Sequence, residues 1–385
     1  MEDWKEIKLG DVCSFQEGYV NPAQTHPEFF DGEIKWLRAT DLNNSFVYNT
    51  TRTLSKEGFE SAGKSALLFK PNTIAISKSG TIGRLGILKD FMCGNRAVIN
   101  IAPNSTVDYK FIFYVLLNMQ SSFEHLAVGS VQKNLYVPIL SDIKFKLPPL
   151  PTQQKIAAIL SSLDDKIELN NKINQNLEQQ AQTIFKSWFV DFEPFGGEMP
   201  EGWKVGKLSE IAEITMGQSP DGSSYNEDGN GTVFYQGRAE FGTRFPTRRL
   251  YTTEPKRIAK TNDVLMSVRA PVGDLNIANE DCCIGRGLAA IRTKENHQSF
   301  VYYTMNSLKK DLEVFNGEGT VFGSINQNAL NNMNVVIPSK SDMNKFEKII
   351  SNLDEQIANL DMENRRLAEI RDGLLPKLMF GEIEV

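Results

Sequence analysis

An internal repeat that spans nearly the whole chain is the feature that most limits how it can fold. Early parts of the two halves match at an offset of 199 residues, and from the middle of each half the offset becomes 190 and stays there. The matched pairs include Trp4 and Trp203, Gly18 and Gly217, Ser77 and Ser267, Cys93 and Cys283, and Leu163 and Leu353. A unit of about 190 residues is much longer than a solenoid repeat of roughly 20–50 residues. Each half is therefore predicted to be a domain with an extension.

The first part of each half, residues 1–148 and 201–338, is predicted to be a mixed α+β domain. Short apolar runs such as residues 73–77 and 264–268 are bounded by Gly, Pro, Asn and Asp, which is typical of strands and turns. A proline cluster at residues 147–151 ends the first domain, because proline is tolerated at a helix start but not in its interior.

The second part of each half is predicted to be a long helix. Its apolar residues recur in alternating steps of four and three, which is the spacing of a coiled-coil seam. The helices are expected in residues 149–193 and 339–385, with a linker at 194–200. The predicted seam consists of Ile156, Leu160, Leu163, Ile167, Asn174, Leu177, Ile184, Phe346, Ile350, Leu353, Ile357, Leu360, Asn364, Leu367 and Leu374. If the helices pair antiparallel, they are expected to fix the distance between two unlike domains. The alternative is that each is an amphipathic helix packed on a globular core.

Composition argues against several classes of protein. With 41% hydrophobic and 23% charged residues, the chain is ordinary for a globular protein, and no apolar run approaches the length of a membrane span. The four cysteines lack C-x-x-C spacing, and the three histidines lie far apart in the sequence. These features predict a cytoplasmic protein with reduced thiols and no metal centre.

Charge is distributed unevenly, although the net charge is −6. Residues 152–198 and 341–385 are acidic, whereas residues 236–269 contain eight basic side chains against three acidic ones. Such a basic stretch is able to hold a polyanion locally even in an acidic protein. The candidate contacts from this stretch are Arg238, Arg244, Arg248, Arg249 and Arg269.

Residues 58–65 match the G-x-x-x-x-G-K-[ST] pattern of a nucleotide-binding phosphate loop. That loop requires a buried strand before it and a helix after it. The preceding residues are polar and Pro71 follows soon after, so a chance match is favoured. A nucleotide hydrolase that uses Lys64 and Ser65 stays open as an alternative. Other catalytic patterns such as H-E-x-x-H and G-x-S-x-G are absent from the sequence, which predicts a protein that binds and performs no chemistry.

Two pairs of loops are the strongest candidates for binding. In residues 77–84 and the counterpart 267–273, small residues allow close backbone approach to a phosphate. Residues 129–135 and 319–327 carry Gln, Asn and Lys, which are able to read base edges. The candidate residues in and beside these loops are Lys78, Ser79, Thr81, Arg84, Arg96, Ser130, Gln132, Lys133, Asn134, Arg286, Thr320, Ser324, Asn326 and Gln327. One scaffold with two sets of long side chains is expected to present two different readers.

Four segments carry a family resemblance. They are residues 147–156, which open the first long helix, 184–194, which close it, 367–378 near the C-terminus, and 76–83 in the first domain. With these motifs the chain resembles the specificity subunit of a type I restriction–modification enzyme along essentially its whole length. The second domain departs from the pattern at residues 267–273, so loop roles are expected to differ between the halves.

The resemblance implies two target-recognition domains separated by an antiparallel pair of conserved helices. Each domain is then expected to read half of an asymmetric bipartite site in double-stranded DNA, and the helices to set the unread spacer. The subunit would hold no cofactor and perform no catalysis. Its implied partners are two methyltransferase subunits that use S-adenosylmethionine, and restriction subunits that use ATP and Mg²⁺ for translocation. A coiled-coil scaffold without a nucleic-acid role stays open as the remaining alternative.

Overall fold

The computed structural model describes residues 4–129, 133–317 and 323–385. The chain divides into two compact units, one formed by Met1–Leu169 with Glu363–Val385 and the other by Asn170–Met362. Each unit combines mixed sheets with one half of each of two long helices.

The first unit is built on a five-stranded sheet with the order β2-β10-β7-β8-β4 and a four-stranded sheet with the order β5-β3-β9-β6. Its strands are β1 Lys5–Lys8, β2 Cys13–Glu17, β3 Phe30–Leu37, β4 Ser45–Val47, β5 Thr53–Leu54, β6 Leu68–Phe69, β7 Ile74–Ser77, β8 Leu85–Leu88, β9 Met92–Gly94, β10 Val98–Pro103 and β11 Lys144–Leu147. Its helices are α1 Leu9–Val12, α2 Lys56–Glu60, α3 Tyr109–Asn118, α4 Phe123–Leu126, α5 Val137–Ser141 and the start of α6 Leu150–Phe189. Because β7 and β8 are buried throughout, their sequences are continuous apolar runs rather than alternating ones.

The second unit repeats this plan with sheets of order β13-β21-β18-β19 and β14-β16-β15-β20-β17. Its strands are β12 Lys204–Lys207, β13 Ala212–Met216, β14 Tyr225–Asn226, β15 Thr232–Tyr235, β16 Leu250–Thr252, β17 Ile258–Ala259, β18 Val264–Ser267, β19 Leu275–Ile277, β20 Cys282–Ile284, β21 Leu288–Thr293 and β22 Asn334–Ile337. Its helices are α7 Leu208–Ile211, α8 Gln298–Ser307, α9 Lys309–Glu313, α10 Gln327–Asn331 and the start of α11 Lys340–Met379.

The sequence predicts a constant offset of 190 residues through the later part of each half, and the structure shows that this is wrong at one helix. Strands β10 and β21 begin 190 residues apart, at Val98 and Leu288, but helices α3 and α8 begin 189 residues apart, at Tyr109 and Gln298. The connection before α8 is therefore one residue shorter than its counterpart. With this shift, Tyr114 of α3 and Tyr303 of α8 occupy equivalent positions.

In the first unit, the N-terminal half of α6 packs antiparallel to the C-terminal end of α11. Asp164 pairs with Arg371 at 2.7 Å and Lys166 with Glu363 at 3.4 Å, so residue numbers rise along one helix and fall along the other. Ile156 and Leu160 of α6 and Leu378 of α11 also join the core of the sheet domain.

In the second unit, the C-terminal half of α6 packs antiparallel to the N-terminal half of α11. The Asn174 side chain donates to the carbonyl oxygen of Ile357 at 3.4 Å, and Phe185 packs on Phe346 with ring centroids 5.8 Å apart. Phe185 also contacts Phe300 of α8. The predicted α+β class with two long antiparallel helices is confirmed.

The helices bury a wider face than a narrow seam requires, because each half contacts its sheet domain as well as the other helix. Of the predicted seam, the fully buried members are Ile156, Leu160, Leu177, Phe346, Ile350 and Ile357. The half-buried members are Leu163, Ile167, Asn174, Ile184, Leu353, Leu360, Asn364, Leu367 and Leu374. Buried positions that the heptad pattern missed include Asp164, Asn170, Phe185 and Phe189.

Residues 58–65 do not form a phosphate-binding loop. The first of them lie in the short helix α2, and Gly63–Ser65 form a single 3₁₀ turn. A side-chain carbon at Gly58 would lie 2.1 Å from the carbonyl oxygen of Phe29, so this glycine serves close packing. The strand before the segment, β5, has only two residues and the next element after it is the strand β6 rather than a helix, so the segment cannot direct backbone N–H groups at a phosphate.

Candidate nucleic-acid interface

In the first unit, four chain segments meet where β2 and β7 end and β10 begins. We call them the first edge, and they are residues 17–20, 77–84, 94–98 and 133–135. Backbone hydrogen bonds join them, from Gly18 N to Val98 O at 3.0 Å, from Lys78 N to Ala97 O at 2.8 Å and from Leu135 N to Lys78 O at 3.0 Å. These bonds hold the predicted loop 77–84 between two neighbouring segments.

The second unit has a matching second edge, formed by residues 216–219, 267–274, 284–288 and 323–325. Its backbone bonds are the repeat counterparts of those above, from Gly217 N to Leu288 O at 2.9 Å, from Val268 N to Gly287 O at 2.9 Å and from Ile325 N to Val268 O at 3.0 Å. A side-chain carbon at Gly217 would lie 2.1 Å from the carbonyl oxygen of Gly285, and one at Gly18 would lie 2.2 Å from that of Asn95. Glycine is thus required at both positions by close backbone approach.

Each edge presents two exposed arginines. They are Arg84 and Arg96 on the first edge and Arg269 and Arg286 on the second. Within the described ranges, none of these four forms an ion pair, so their guanidinium groups face solvent without a counter-charge. Arg96 and Arg286 occupy equivalent positions in the repeat. Guanidinium groups in this state suit phosphate and guanine contacts.

The other first-edge candidates differ in the exposure and the hydrogen bonding of their side chains. Lys78 is only 15% exposed and pairs with Glu17 at 3.0 Å. Ser79 is half-buried, and Thr81 uses its carbonyl oxygen to accept from Ser77 Oγ. Lys133 Nζ donates a hydrogen bond to the carbonyl oxygen of Glu124 at 3.5 Å.

Several predicted readers instead stabilise the loops. Beside the second edge, Asn326 caps α10 by accepting from Ala329 N at 2.9 Å, and the Gln327 side chain donates to Ile214 O at 2.8 Å. Ser324 forms an isolated antiparallel β-bridge with Arg269 through the backbone. Asn134 forms the same kind of backbone bridge with Val128 in the first unit. The candidates Ser130, Gln132 and Thr320 lie outside the described residues.

Most basic side chains of the stretch 236–269 form ion pairs with carboxylates that the fold brings beside them. Arg238 pairs with Asp274 at 3.0 Å, Arg248 with Glu280 at 2.5 Å, and Arg249 with Glu240 at 2.6 Å. These ion pairs reduce the local excess of positive charge that the sequence indicates, because Asp274 and Glu280 lie outside the sequence window.

Arg244 lies in the interior of the second unit. Its side chain is 5% exposed and pairs with Glu178 of α6 and Asp354 of α11. Burial alone would lower the pKa of the Arg244 guanidinium, but the negative groups around it outweigh burial and raise that pKa above its ordinary value. The prediction that Arg244 contacts DNA is wrong, because a buried and paired guanidinium offers no surface.

The residues that the structure describes include neither a candidate metal site nor a candidate membrane span. No group of three or more His, Cys, Asp or Glu side chains there comes close enough to hold a metal ion. No helix in the same residues combines the length and apolar character needed to cross a membrane.

The chain is thus a two-domain α+β protein in which both domains share one loop scaffold and differ in the side chains that it presents. Sequence comparison supplies the family. Residues 1–179 and 200–371 match the type I restriction modification DNA specificity domain, and the chain belongs to this family. It is a specificity subunit of a type I restriction–modification system, the component that performs no catalysis itself.

Relatives match along most of the chain. The putative type I restriction enzyme MjaX specificity subunit of Methanocaldococcus jannaschii is 32% identical over 329 residues, which cover 80% of this chain and 77% of the relative. The type I restriction enzyme HindI specificity subunit of Haemophilus influenzae is 24% identical over 469 aligned positions and covers 100% of both chains. The crystal structure of a type I restriction–modification S subunit from M. genitalium shares the fold, with a TM-score of 0.60, 18% identity and coverage of 98% of this chain and 96% of that one.

Proposed function

We propose that each unit reads one half of an asymmetric bipartite DNA site through its edge. The observation that carries this proposal is the pair of equivalent, unpaired arginines, Arg96 and Arg286, on two edges with the same backbone bonding. Equivalent arginines give both edges a common means of engaging the duplex. The side chains beside them differ, so the two half-sites should differ in sequence.

We further infer that α6 and α11 set the spacer between the half-sites. Each helix has 40 residues, which corresponds to about 60 Å at 1.5 Å per residue. Ion pairs join the two helices in the first unit, and a side-chain hydrogen bond and aromatic packing join them in the second, which makes them stiff. Stiff helices of this length are suited to define a distance along DNA.

The partners that this function requires supply all of the chemistry. We propose that two methyltransferase subunits, with S-adenosylmethionine, dock on this chain and methylate adenine in the site it reads. Restriction subunits that use ATP and Mg²⁺ would join the same assembly. The contribution of this chain is to choose the sequence at which they act.

The direct test is to map methylated adenines in DNA from cells that contain this chain and its methyltransferase. Exchanging residues 1–148 for those of a relative should change one half of the methylated site and leave the other half intact. If both halves change, or if the methylated sequence is continuous, the two units do not read separately.

The spacer role has its own test. Adding seven residues to both helices at equivalent positions keeps the heptad phase and lengthens the pair by about 10 Å, which is close to 3 base pairs at 3.4 Å each. The half-sites should remain the same while the preferred spacer grows. An unchanged spacer in a folded, methylating variant would contradict the proposal.

A further inference from the structure

A carboxylate lies at the centre of the first edge. Glu17 Oε2 accepts hydrogen bonds from Lys78 Nζ at 3.0 Å and from the Tyr19 hydroxyl at 3.1 Å. The Glu17 side chain is 20% exposed and Tyr19 is 48% exposed, so the cluster opens onto the surface of the edge.

The backbone holds this cluster in place from several directions. Glu17 ends β2 and Lys78 follows β7, and both strands pair with β10, which lies between them. Lys78 uses both its N–H and its carbonyl group in bonds to neighbouring segments, and Gly18 packs directly on Asn95. A donor and an acceptor are thereby preorganised side by side.

The scaffold does not need this ion pair in order to fold. In the second unit, Met216 and Val268 stand at the positions equivalent to Glu17 and Lys78, and both pack with the apolar core there. Replacing a partly buried ion pair by apolar residues is often neutral or stabilising, because the charges lose their hydration. An ion pair that the fold can replace by two apolar side chains points to a role in binding.

The location of the carboxylate identifies what it would bind. On a DNA-binding edge a carboxylate repels phosphates, so it is suited to the base edges in the major groove. There, Glu accepts from the N4 amino group of cytosine and Lys donates to O6 and N7 of guanine. These two base groups are themselves hydrogen-bonded, about 3 Å apart, which matches the separation of the Glu17 and Lys78 side-chain atoms.

We propose that Glu17 and Lys78 together read one C·G base pair in the half-site of the first unit, with Tyr19 as the positioning residue for Glu17. Glu17 accepts from cytosine and Lys78 donates to guanine. The second unit presents an apolar surface at the same position and makes no equivalent reading. This inference rests on the proposed function, since it names bases within the proposed half-site.

The test uses the double variant Glu17→Met/Lys78→Val, which installs the residues of the second unit. Methylated adenines are mapped in cells that contain the full chain and its methyltransferase. A discrimination of roughly 5- to 150-fold at one C·G position, the amount that a good side-chain pair provides, should fall close to 1. All other positions, including the half-site of the second unit, should keep their preferences.

Two control variants separate reading from folding. Lys8→Met/Asp142→Asn removes an ion pair of 2.7 Å in the same unit but outside the first edge, and it should leave every base preference unchanged. Tyr19→Phe keeps the ring and removes one bond to Glu17, so it should weaken discrimination at the same C·G position only. Thermal melting of each purified variant reports whether it is folded.

The outcomes are distinct. If the unmodified chain directs methylation to no bipartite site, the proposed function fails. The reading by Glu17 and Lys78 is refuted, while the proposed function stands, if the unmodified chain directs methylation to a bipartite site and the double variant keeps every base preference. The same conclusion follows if the preference that changes belongs to an A·T pair.

Discussion

Replacing Arg244 by methionine tests whether this arginine stabilises the second unit. Its guanidinium donates to Glu178, to Asp354 Oδ1 at 2.5 Å and to the Tyr303 hydroxyl at 3.0 Å, and it lies 4.2 Å from the ring centroid of Tyr302. Arg244 thus joins the sheet domain to α6 and α11 at one point. Methionine preserves most of the side-chain length and removes the charge.

The expected loss follows from the two carboxylates that remain. Glu178 and Asp354 are 22% and 19% exposed, so each would keep a negative charge in a poorly hydrated place. Removing one partner of a buried ion pair costs about 3–5 kcal/mol of unfolding free energy. The same principle predicts that Arg244→Met/Glu178→Leu/Asp354→Asn recovers most of this loss, because no uncompensated charge remains and an amide oxygen at position 354 still accepts from the Tyr303 hydroxyl.

Hydrogen exchange followed by mass spectrometry measures this loss locally. The opening free energy of the α8 amides should fall by about 3–5 kcal/mol in Arg244→Met. Arg248→Met is the matched control, since Arg248 makes an ion pair of 2.5 Å but is 54% exposed. Such a surface pair is worth about 0–1 kcal/mol. Equal effects of the two substitutions would refute the argument that burial gives the Arg244 cluster its importance.

Three further predictions address the edges, the first unit and the phosphate-loop alternative. Arg96→Ala and Arg286→Ala should each remove about one phosphate contact, which changes the slope of log K for DNA binding against log salt concentration by about 0.9. Titration at several salt concentrations measures this slope, and the control Arg248→Ala should leave it unchanged. Asp164→Asn should destabilise the first unit by roughly 1.5–3 kcal/mol in urea unfolding, because Arg371 then keeps only the exposed Asp372 as its counter-charge. Lys64→Ala should bind ATP no differently from the unmodified chain in calorimetry, and a loss of tight binding would restore the nucleotide-hydrolase alternative.

The repeat, the two helices and their starting points could be predicted from sequence because their signals are local or periodic. Helix α6 begins at Leu150, inside the proline cluster rather than after it, with Pro151 in its first turn, where proline is tolerated. Ser339 caps the start of α11, where its Oγ accepts from Asp342 N at 3.2 Å. Capping and heptad spacing depend on neighbours a few residues away, so no tertiary information is needed.

The state of the arginines could not be predicted in this way. Arg244 meets Glu178 and Asp354, which are 66 and 110 residues away in sequence. Arg96 and Arg286 lie outside the basic stretch 236–269, yet they form no ion pair among the residues that the structure describes. Whether a cation is available to DNA depends on the carboxylates that the fold brings beside it, and these are invisible to a sequence window.

A contact common to both units explains how variable edges and a constant framework coexist. The Tyr114 hydroxyl donates to Asp164 of α6 at 2.5 Å, and the Tyr303 hydroxyl donates to Asp354 of α11 at 3.0 Å. The compensating arginine is Arg371 of α11 in the first unit but Arg244 of the sheet domain in the second. Both units thus have the tyrosine–aspartate contact, whereas the arginine that neutralises the aspartate comes from a different part of the chain in each. This indicates that the attachment of the sheet domain to the helix is the constrained element. The edges lie outside this contact, so their side chains are free to differ without altering the framework that positions them.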